Sequence, residues 1–240
     1  TRHTALVSAD NKGMAFSHLA TRGTGALGRT VKTHRILGRY PDAPTPAGKT
    51  VKPSTVLAFA PLPLGNVETS TDTLGLTAML TPYLLVIVST TPVAQTQHKS
   101  ARPKDVPPHS AMTGCLAWFP AVKLKVPDPH TGSDISKVKL AYCWSNILTV
   151  LDVDEYPRED KDQPASYRFK ARSRWKCEEA IVAVQWLSRS VLAVLTISQR
   201  MIVLEDRSMR MTEGFDLLQK YIYHADLFSE QLQTLVEQLD

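Results

Sequence analysis

Five basic side chains stand on alternate positions of one short segment. Small or apolar residues occupy the positions between them, and this alternation predicts a β-strand with all five charges on one face. Such a face could bind an acidic protein or a phosphoinositide headgroup, or it could protect an edge strand from pairing with another chain. It carries no aromatic residues, so nucleic acid is not the expected partner. The candidate partner-binding residues are Arg168, Lys170, Arg172, Arg174 and Lys176.

A second motif, Gly23-Thr24-Gly25-Ala26-Leu27-Gly28, matches the G-x-G-x-x-G pattern of dinucleotide sites. Such a site needs a helix directly after the last glycine, because the helix N-terminus faces the pyrophosphate. Residues 29–36 are instead β-branched and alternating, which predicts a strand. The glycines therefore indicate a loop between two strands, and a nucleotide site is the alternative.

We expect no enzyme activity, cofactor or metal ion. The seven histidines are scattered, and no G-x-S-x-G nucleophile elbow is present. Cys115, Cys143 and Cys177 have spacings that fit neither a zinc site nor C-x-x-C, and their apolar neighbours predict free core thiols in a reducing, intracellular compartment. The acidic residues between positions 152 and 162 are expected to lie in a solvated loop.

Composition is that of a folded chain, with 240 residues of which 43% are hydrophobic and 21% charged. This excludes wholesale disorder. The most apolar stretch, residues 74–89, is too short for a membrane helix and is interrupted by Pro82. Residues 1–52 hold nine Lys or Arg against two Asp. This basic region favours an acidic partner, an anionic membrane or nucleic acid, or is simply a solvated surface.

Four β-hairpins are predicted from short apolar runs joined by turn residues. In the first, the turn Asp10-Asn11-Lys12-Gly13 offers a carboxylate to its own backbone and a glycine that tolerates positive φ. The hairpins cover residues 5–9 with 14–19, 76–80 with 83–89, 138–143 with 147–153, and 191–197 with 201–205.

The hairpins belong to a loose repeat. A similar strand precedes three of them, and an extended polar segment follows each of the four. Four antiparallel strands per repeat predict an all-β, WD40-like partial β-propeller, although no Trp-Asp dipeptide is present; a β-sandwich is the alternative. The preceding strands are residues 57–61, 116–120 and 182–186, and the following segments are residues 30–37, 93–102, 167–175 and 219–224.

Near the end of the sequence the periodicity changes to three and four, which predicts a short C-terminal amphipathic helix over residues 226–239. The repeats amount to about three to four blades, whereas a closed propeller needs four to eight. We therefore expect residues 1–240 to be part of a single, larger β-propeller domain, with the helix inserted in it.

Several segments together resemble the family of vacuolar protein sorting-associated protein 8, its fungal members in particular. They begin with Leu6-Val7-Ser8-Ala9-Asp10-Asn11-Lys12-Gly13 and continue with residues 57–64 and 77–93. The last is residues 180–205, running into Tyr221-Ile222-Tyr223-His224.

This resemblance implies a non-catalytic scaffold of CORVET, a complex that tethers endosomal membranes during endosome-to-vacuole protein transport. It implies recognition of a GTP-bound endosomal Rab GTPase, contact with other CORVET and class C tether subunits, and a cytoplasmic, peripheral location on early endosomes and the vacuole. No Rab-binding motif transfers residue by residue, so the basic row Arg168–Lys176 and the basic loops of residues 22–39 are candidates by charge alone. The alternative is a propeller that binds anionic lipid or nucleic acid through its basic surface.

Overall fold

The computed structural model describes residues 5–22, 29–37, 43–44, 50–51, 55–63, 65, 75–90, 94–106, 112–160 and 163–216. The regular elements of this part of the chain are β-strands, which confirms the all-β prediction. Most of them form four sheets, here called blades 1 to 4, in which consecutive strands pair antiparallel. The same residues contain no helix long and apolar enough to cross a bilayer.

The strand bounds are as follows. Blade 1 contains β1 (Ala5–Ala9), β2 (Ala15–Arg22) and β3 (Arg29–Leu37), and the short pair β4 (Ala43–Pro44) and β5 (Thr50–Val51) follows it. Blade 2 contains β6 (Ala58–Pro61), β7 (Leu76–Leu80), β8 (Leu84–Ser89) and β9 (Gln95–Ala101). Blade 3 contains β10 (Gly114–Phe119), β11 (Val138–Trp144), β12 (Ile147–Glu155) and β13 (Tyr167–Lys176). Blade 4 contains β14 (Ile181–Ser188), β15 (Val191–Thr196), β16 (Arg200–Glu205) and β17 (Met211–Asp216).

All four predicted hairpins are confirmed, and their turns use the residues that the sequence offered. Between β1 and β2, Oδ1 of Asp10 accepts hydrogen bonds of 2.9 Å from the backbone N–H groups of Lys12 and Met14. Gly13 takes a φ of 78° in this turn. Ser145, in the blade 3 hairpin, also takes a positive φ, which lets a two-residue connection reverse the chain.

The fourth strand of blade 4 was predicted wrongly. The sequence placed it at residues 219–224, whereas β17 pairs with β16 through a short turn that begins at Asp206. A glycine and two acidic residues within β17 had concealed its strand character. Residues 219–224 and the predicted helix at 226–239 lie outside the described residues.

The hydrophobic core forms three layers between successive blades. The middle strands of blades 2 and 3 are buried on both faces, since each face packs against a neighbouring sheet. Indole N–H groups connect the blades. Trp118 of β10 donates to the carbonyl of Ala60 in blade 2 at 2.9 Å. In the same way, Trp186 of β14 donates to the carbonyl of Ala117 in blade 3 at 2.9 Å.

The blades follow one another as in a propeller. The first strands of blades 2, 3 and 4, which are β6, β10 and β14, contact one another in succession. Gly114 at the start of β10 makes this approach close, because a Cβ there would lie 2.8 Å from side-chain atoms of Leu57 and Leu80 in blade 2. Four meandering sheets packed in sequence form a β-propeller arrangement, as the sequence predicted.

Candidate interaction surface on the third blade

Strand β13 carries the predicted basic row and is the outermost strand of blade 3. It pairs with β12 along one side only in the described sheet. The pairing is interrupted by a β-bulge, because Val150 lies opposite Ser173 while the next residue, Leu151, lies opposite Ala171. Arg172 therefore has no partner on β12, and the alternation of faces changes at this residue.

The bulge means that the five bases do not share a face, which corrects the sequence prediction. Arg168 and Lys170 lie opposite the even-numbered acidic residues of β12. Arg174 and Lys176 lie opposite Thr149 and Ile147, whose side chains point to the other side of the sheet. The row is thus divided into two pairs of bases, one on each face, with Arg172 between them.

Arg172 turns into the interface between blades 3 and 4. Its side chain is 12% exposed, and its Nε donates to Oδ2 of Asp152 at 2.9 Å. Its Nη1 lies 3.3 Å from Oδ2 of Asp206 in blade 4. The same carboxylate oxygen accepts a hydrogen bond from Nζ of Lys139 at 2.6 Å. Arg172 is therefore a structural residue of a buried ion cluster and is not available to a partner.

The acidic residues expected in a solvated loop are partly structural as well. Asp152, Asp154 and Glu155 belong to β12, and Asp152 is buried within the ion cluster. Its neighbour Asp154 pairs with Lys137 at 3.1 Å near the surface. The prediction of a solvated turn is therefore wrong for Asp152, whose carboxylate neutralises buried guanidinium charge.

Arg174 is also occupied, but at the surface. Its Nη2 lies 2.5 Å from Oδ2 of Asp105, which follows the outer strand of blade 2. The Arg174 guanidinium lowers the pKa of the Asp105 carboxyl through this hydrogen bond. Both side chains are well exposed, so solvent screens the pair and it contributes little to stability.

Lys176 lies at a cleft of about 490 Å³ between the end of β13 and blade 4. The cleft wall holds Arg200 as a second base, together with Glu178 and Glu179. The hydroxyl groups of Ser198 and Thr196 donate to Glu179 and lower its pKa, so that it carries a negative charge. Bases and acids are balanced at this cleft, and it offers no net positive field.

Arg168 and Lys170 remain as the accessible basic pair. Both are exposed, and neither forms an ion pair within the part of the chain that the structure describes. The acids opposite them are already engaged, since Asp154 pairs with Lys137 and Asp152 with Arg172. Arg168 and Lys170 therefore stay without an ion pair of their own within the described residues, and they face solvent from an edge strand.

The second basic candidate, residues 22–39, is only partly described. Strand β3 begins immediately after the G-x-G-x-x-G motif, which confirms the predicted strand and leaves no helix N-terminus there to face a pyrophosphate. Residues 23–28 themselves lie outside the described residues. Lys32 and Arg35 on β3 are exposed.

Next to the basic pair, His98 of blade 2 stacks on Phe169 of β13 with ring centroids 4.8 Å apart. Burial lowers the pKa of His98 below its ordinary value of 6.5. As the pH falls through 6.5, the unfolded chain therefore takes up a proton that the folded chain resists, and stability decreases. This contact could not be predicted from the sequence, because the two residues lie on different blades.

We expect a His98→Phe variant, which keeps the stack but cannot titrate, to lose less stability than the wild type between pH 7 and pH 5. Thermal unfolding midpoints recorded across this range measure the difference. The two proteins should follow similar curves above pH 7, where both rings are neutral. Parallel curves down to pH 5 would contradict the assignment of a depressed His98 pKa.

Comparison with known proteins identifies similar domains. A family model described as Vps8 beta-propeller matches residues 1–239. Among solved structures, the chain is similar to the WD40 domain of SCAP from fission yeast, with 11% identity and a TM-score of 0.43 over 89% of this chain and 45% of that one. It is also similar to Saccharomyces cerevisiae Sqt1, with 8% identity and a TM-score of 0.34 over 88% of this chain and 57% of that one. The chain thus spans about half the length of these two structures. No curated protein matches.

Proposed function

Because the chain belongs to the Vps8 β-propeller family, we propose that it is a non-catalytic protein-interaction scaffold of an endosomal vesicle-tethering complex, CORVET. In this role it contributes to recognition of a GTP-bound endosomal Rab GTPase and to protein transport between endosome and vacuole or lysosome. Its other partners are the remaining CORVET and class C tether subunits. It acts in the cytoplasm, peripherally on the early endosomal and vacuolar membranes, and residues 1–240 form part of one propeller domain.

The packing of the blades supports a scaffold role. Their middle strands are buried on both faces, and Trp118 and Trp186 connect successive sheets by hydrogen bonds to backbone carbonyls. Outer strands such as β13 are half-exposed and polar. A rigid core that presents polar edges can hold a partner surface without rearranging, which keeps the entropic cost of association low.

The observation that carries the site proposal is that Arg168 and Lys170 are exposed and form no ion pair within the described residues. A partner that places carboxylates opposite the pair gains charge-assisted hydrogen bonds, and the guanidinium of Arg168 can bind a carboxylate in bidentate fashion. Complementary charge also speeds association, because it steers the two proteins together before contact. An acidic surface patch on the Rab GTPase is therefore the expected complement.

The functional proposal predicts nucleotide-dependent capture. Immobilised chain should retain an endosomal Rab GTPase loaded with a non-hydrolysable GTP analogue and release the same Rab loaded with GDP. Quantification of bound Rab by immunoblot measures the ratio. Equal retention of the two nucleotide states, or no retention of either, would refute Rab recognition by this propeller.

A second candidate function, binding to anionic lipid or nucleic acid, is favoured by the exposed bases Lys32 and Arg35 on β3. Co-sedimentation with phosphatidylserine vesicles, or titration with an oligonucleotide, distinguishes this function from Rab recognition. Electrostatic binding to either polyanion weakens steeply with added salt. Binding to neutral vesicles at the same level would exclude the electrostatic mechanism.

A further inference from the structure

Three cysteines that are far apart in the sequence meet in blade 3. Cys115 lies on β10, Cys143 lies on β11, and Cys177 directly follows β13. The last two are buried in the apolar layer between blades 3 and 4, and Cys115 packs against the same layer. All three are free thiols. The spacing of the cysteines in the sequence could not predict that they are neighbours, because their proximity depends on the strand register.

The trio is not arranged as a metal site. Among the described residues, which include all three cysteines, no group of three or more His, Cys, Asp or Glu residues has positions that could hold a metal ion. The chemistry open to neighbouring thiols in this geometry is therefore oxidation to a disulfide.

Cys115 and Cys143 are the pair suited to that reaction. They are direct cross-strand partners in the antiparallel register of β10 and β11. Such partners have Cα atoms about 4.5 or 5.5 Å apart, and disulfides require about 4.4–6.8 Å. In the reduced chain the thiol of Cys143 donates to the backbone carbonyl of Ser145, with the sulfur 3.4 Å from the oxygen. Cys177 lies beyond the end of β13 and has no cross-strand cysteine opposite it.

The exposure of the two thiols determines which of them reacts first. Cys115 is half-buried, whereas Cys143 is fully buried, so Cys115 is the more accessible of the two to a reagent in solution. The contact with Cys115 and burial both raise the pKa of the Cys143 thiol, the contact being the larger cause. Cys143 is thus a poor first nucleophile, and Cys115 is the entry point for an oxidant.

We propose that Cys115 and Cys143 form a redox-responsive pair, which a small disulfide such as oxidised glutathione converts into an intrachain disulfide that connects β10 to β11. The Cys115 thiolate attacks one sulfur of oxidised glutathione, forming a mixed disulfide and expelling one glutathione thiolate. The Cys143 sulfur then attacks Sγ of Cys115 and expels the second glutathione, whose departing thiolate takes up the Cys143 proton. Two protein thiols are oxidised, and one glutathione disulfide is reduced to two glutathione molecules.

The first step prepares the second. Formation of the mixed disulfide makes Sγ of Cys115 electrophilic, and Cys115 lies directly opposite Cys143 in the strand register. A bound glutathione on Cys115 is therefore an intermediate of short lifetime in the wild-type chain.

Peptide mapping tests the pair, because trypsin separates the three cysteines into different peptides, residues 105–123, 140–158 and 177–189. The native full chain is incubated with oxidised glutathione at neutral pH, alkylated, digested and analysed by mass spectrometry. We expect peptide 105–123 linked to peptide 140–158, at a mass two hydrogens below the sum of the free peptides, and loss of this species on reduction with dithiothreitol. Cys177→Ser should keep the link, and Cys143→Ser should accumulate glutathione on Cys115.

The wild-type digest alone decides the question, so the proposal does not depend on the folding of a variant. A link that includes peptide 177–189 would overturn it. So would a stable glutathione adduct on Cys115 without a link to Cys143. Full alkylation of Cys115 and Cys143 in the native chain would overturn it as well, if the same incubation forms the disulfide in the urea-unfolded chain. The native geometry would then be what prevents the reaction.

Discussion

Replacement of Asp206 by alanine is expected to lower the free energy of unfolding by about 3–5 kcal/mol, the cost of removing one partner from a buried ion pair. Asp206 is 1% exposed and neutralises Lys139 and Arg172 at the interface of blades 3 and 4. Without it, Lys139 keeps the carbonyl of Arg189, the ring of Trp186 and the charge of Asp152, which already pairs with Arg172. Two cations from blade 3 would then share one carboxylate.

Denaturant unfolding of the full chain measures this loss. The matched control is Asp105→Ala, which breaks the exposed ion pair with Arg174 and should cost at most about 1 kcal/mol. A double variant that replaces Lys139 and Asp206 by Met and Leu should recover most of the loss, because no charge is then left unpaired between the blades. A cost for Asp206→Ala no larger than that of the control would show that the cluster does not hold the two blades together.

Removal of the Trp186 side chain is the second large effect that we expect. Trp186 is 7% exposed, packs against Phe119 with ring centroids 5.6 Å apart, and donates to the Ala117 carbonyl across the blade interface. Trp186→Ala should cost about 3–5 kcal/mol, since it leaves a cavity in a packed core. It also deprives a buried carbonyl of its donor.

A Trp186→Phe variant separates these two contributions. It keeps the six-membered ring but loses the pyrrole part of the indole with its N–H, so about 1–3 kcal/mol should be lost, less than for Trp186→Ala. Both variants are compared with the wild type by denaturant unfolding under identical conditions. A loss below about 1 kcal/mol for Trp186→Ala would mean that blades 3 and 4 do not pack through this residue.

The sequence was sufficient to predict the strands whose information is local. The hairpin turn at Asp10-Gly13 and the apolar runs of β7, β11 and β15 carry their own turn chemistry and alternation, and the structure confirms them. The propeller arrangement followed from the recurrence of these units. Strand β17 was not predicted, because most of its residues are polar and its pairing depends on the turn at Asp206 rather than on its own pattern.

The candidate site was predicted less well, because its geometry depends on the neighbouring blade. Alternation along β13 predicted one basic face, but the bulge at Arg172 moves Arg174 and Lys176 to the opposite face. The side chain of Arg172 reaches Asp206, whose position is known only once blade 4 is packed on blade 3. No pattern within ten consecutive residues contains that information. For the same reason, the cross-strand pairing of Cys115 with Cys143 could not be predicted.

We propose that Arg168 and Lys170, rather than the whole basic row, contact a GTP-bound Rab GTPase. The most direct measurement is the Kd of the chain for the GTP-loaded Rab, determined by calorimetry for two double variants. Arg168→Glu with Lys170→Glu should weaken binding at least about tenfold, because each like-charge contact at an interface costs more than the 1.4 kcal/mol that a factor of ten represents. Arg174→Glu with Lys176→Glu makes the same change of charge on the opposite face of the same strand and should leave Kd nearly unchanged. An equal effect of the two double variants, or no effect of either on a folded chain, would contradict the claim.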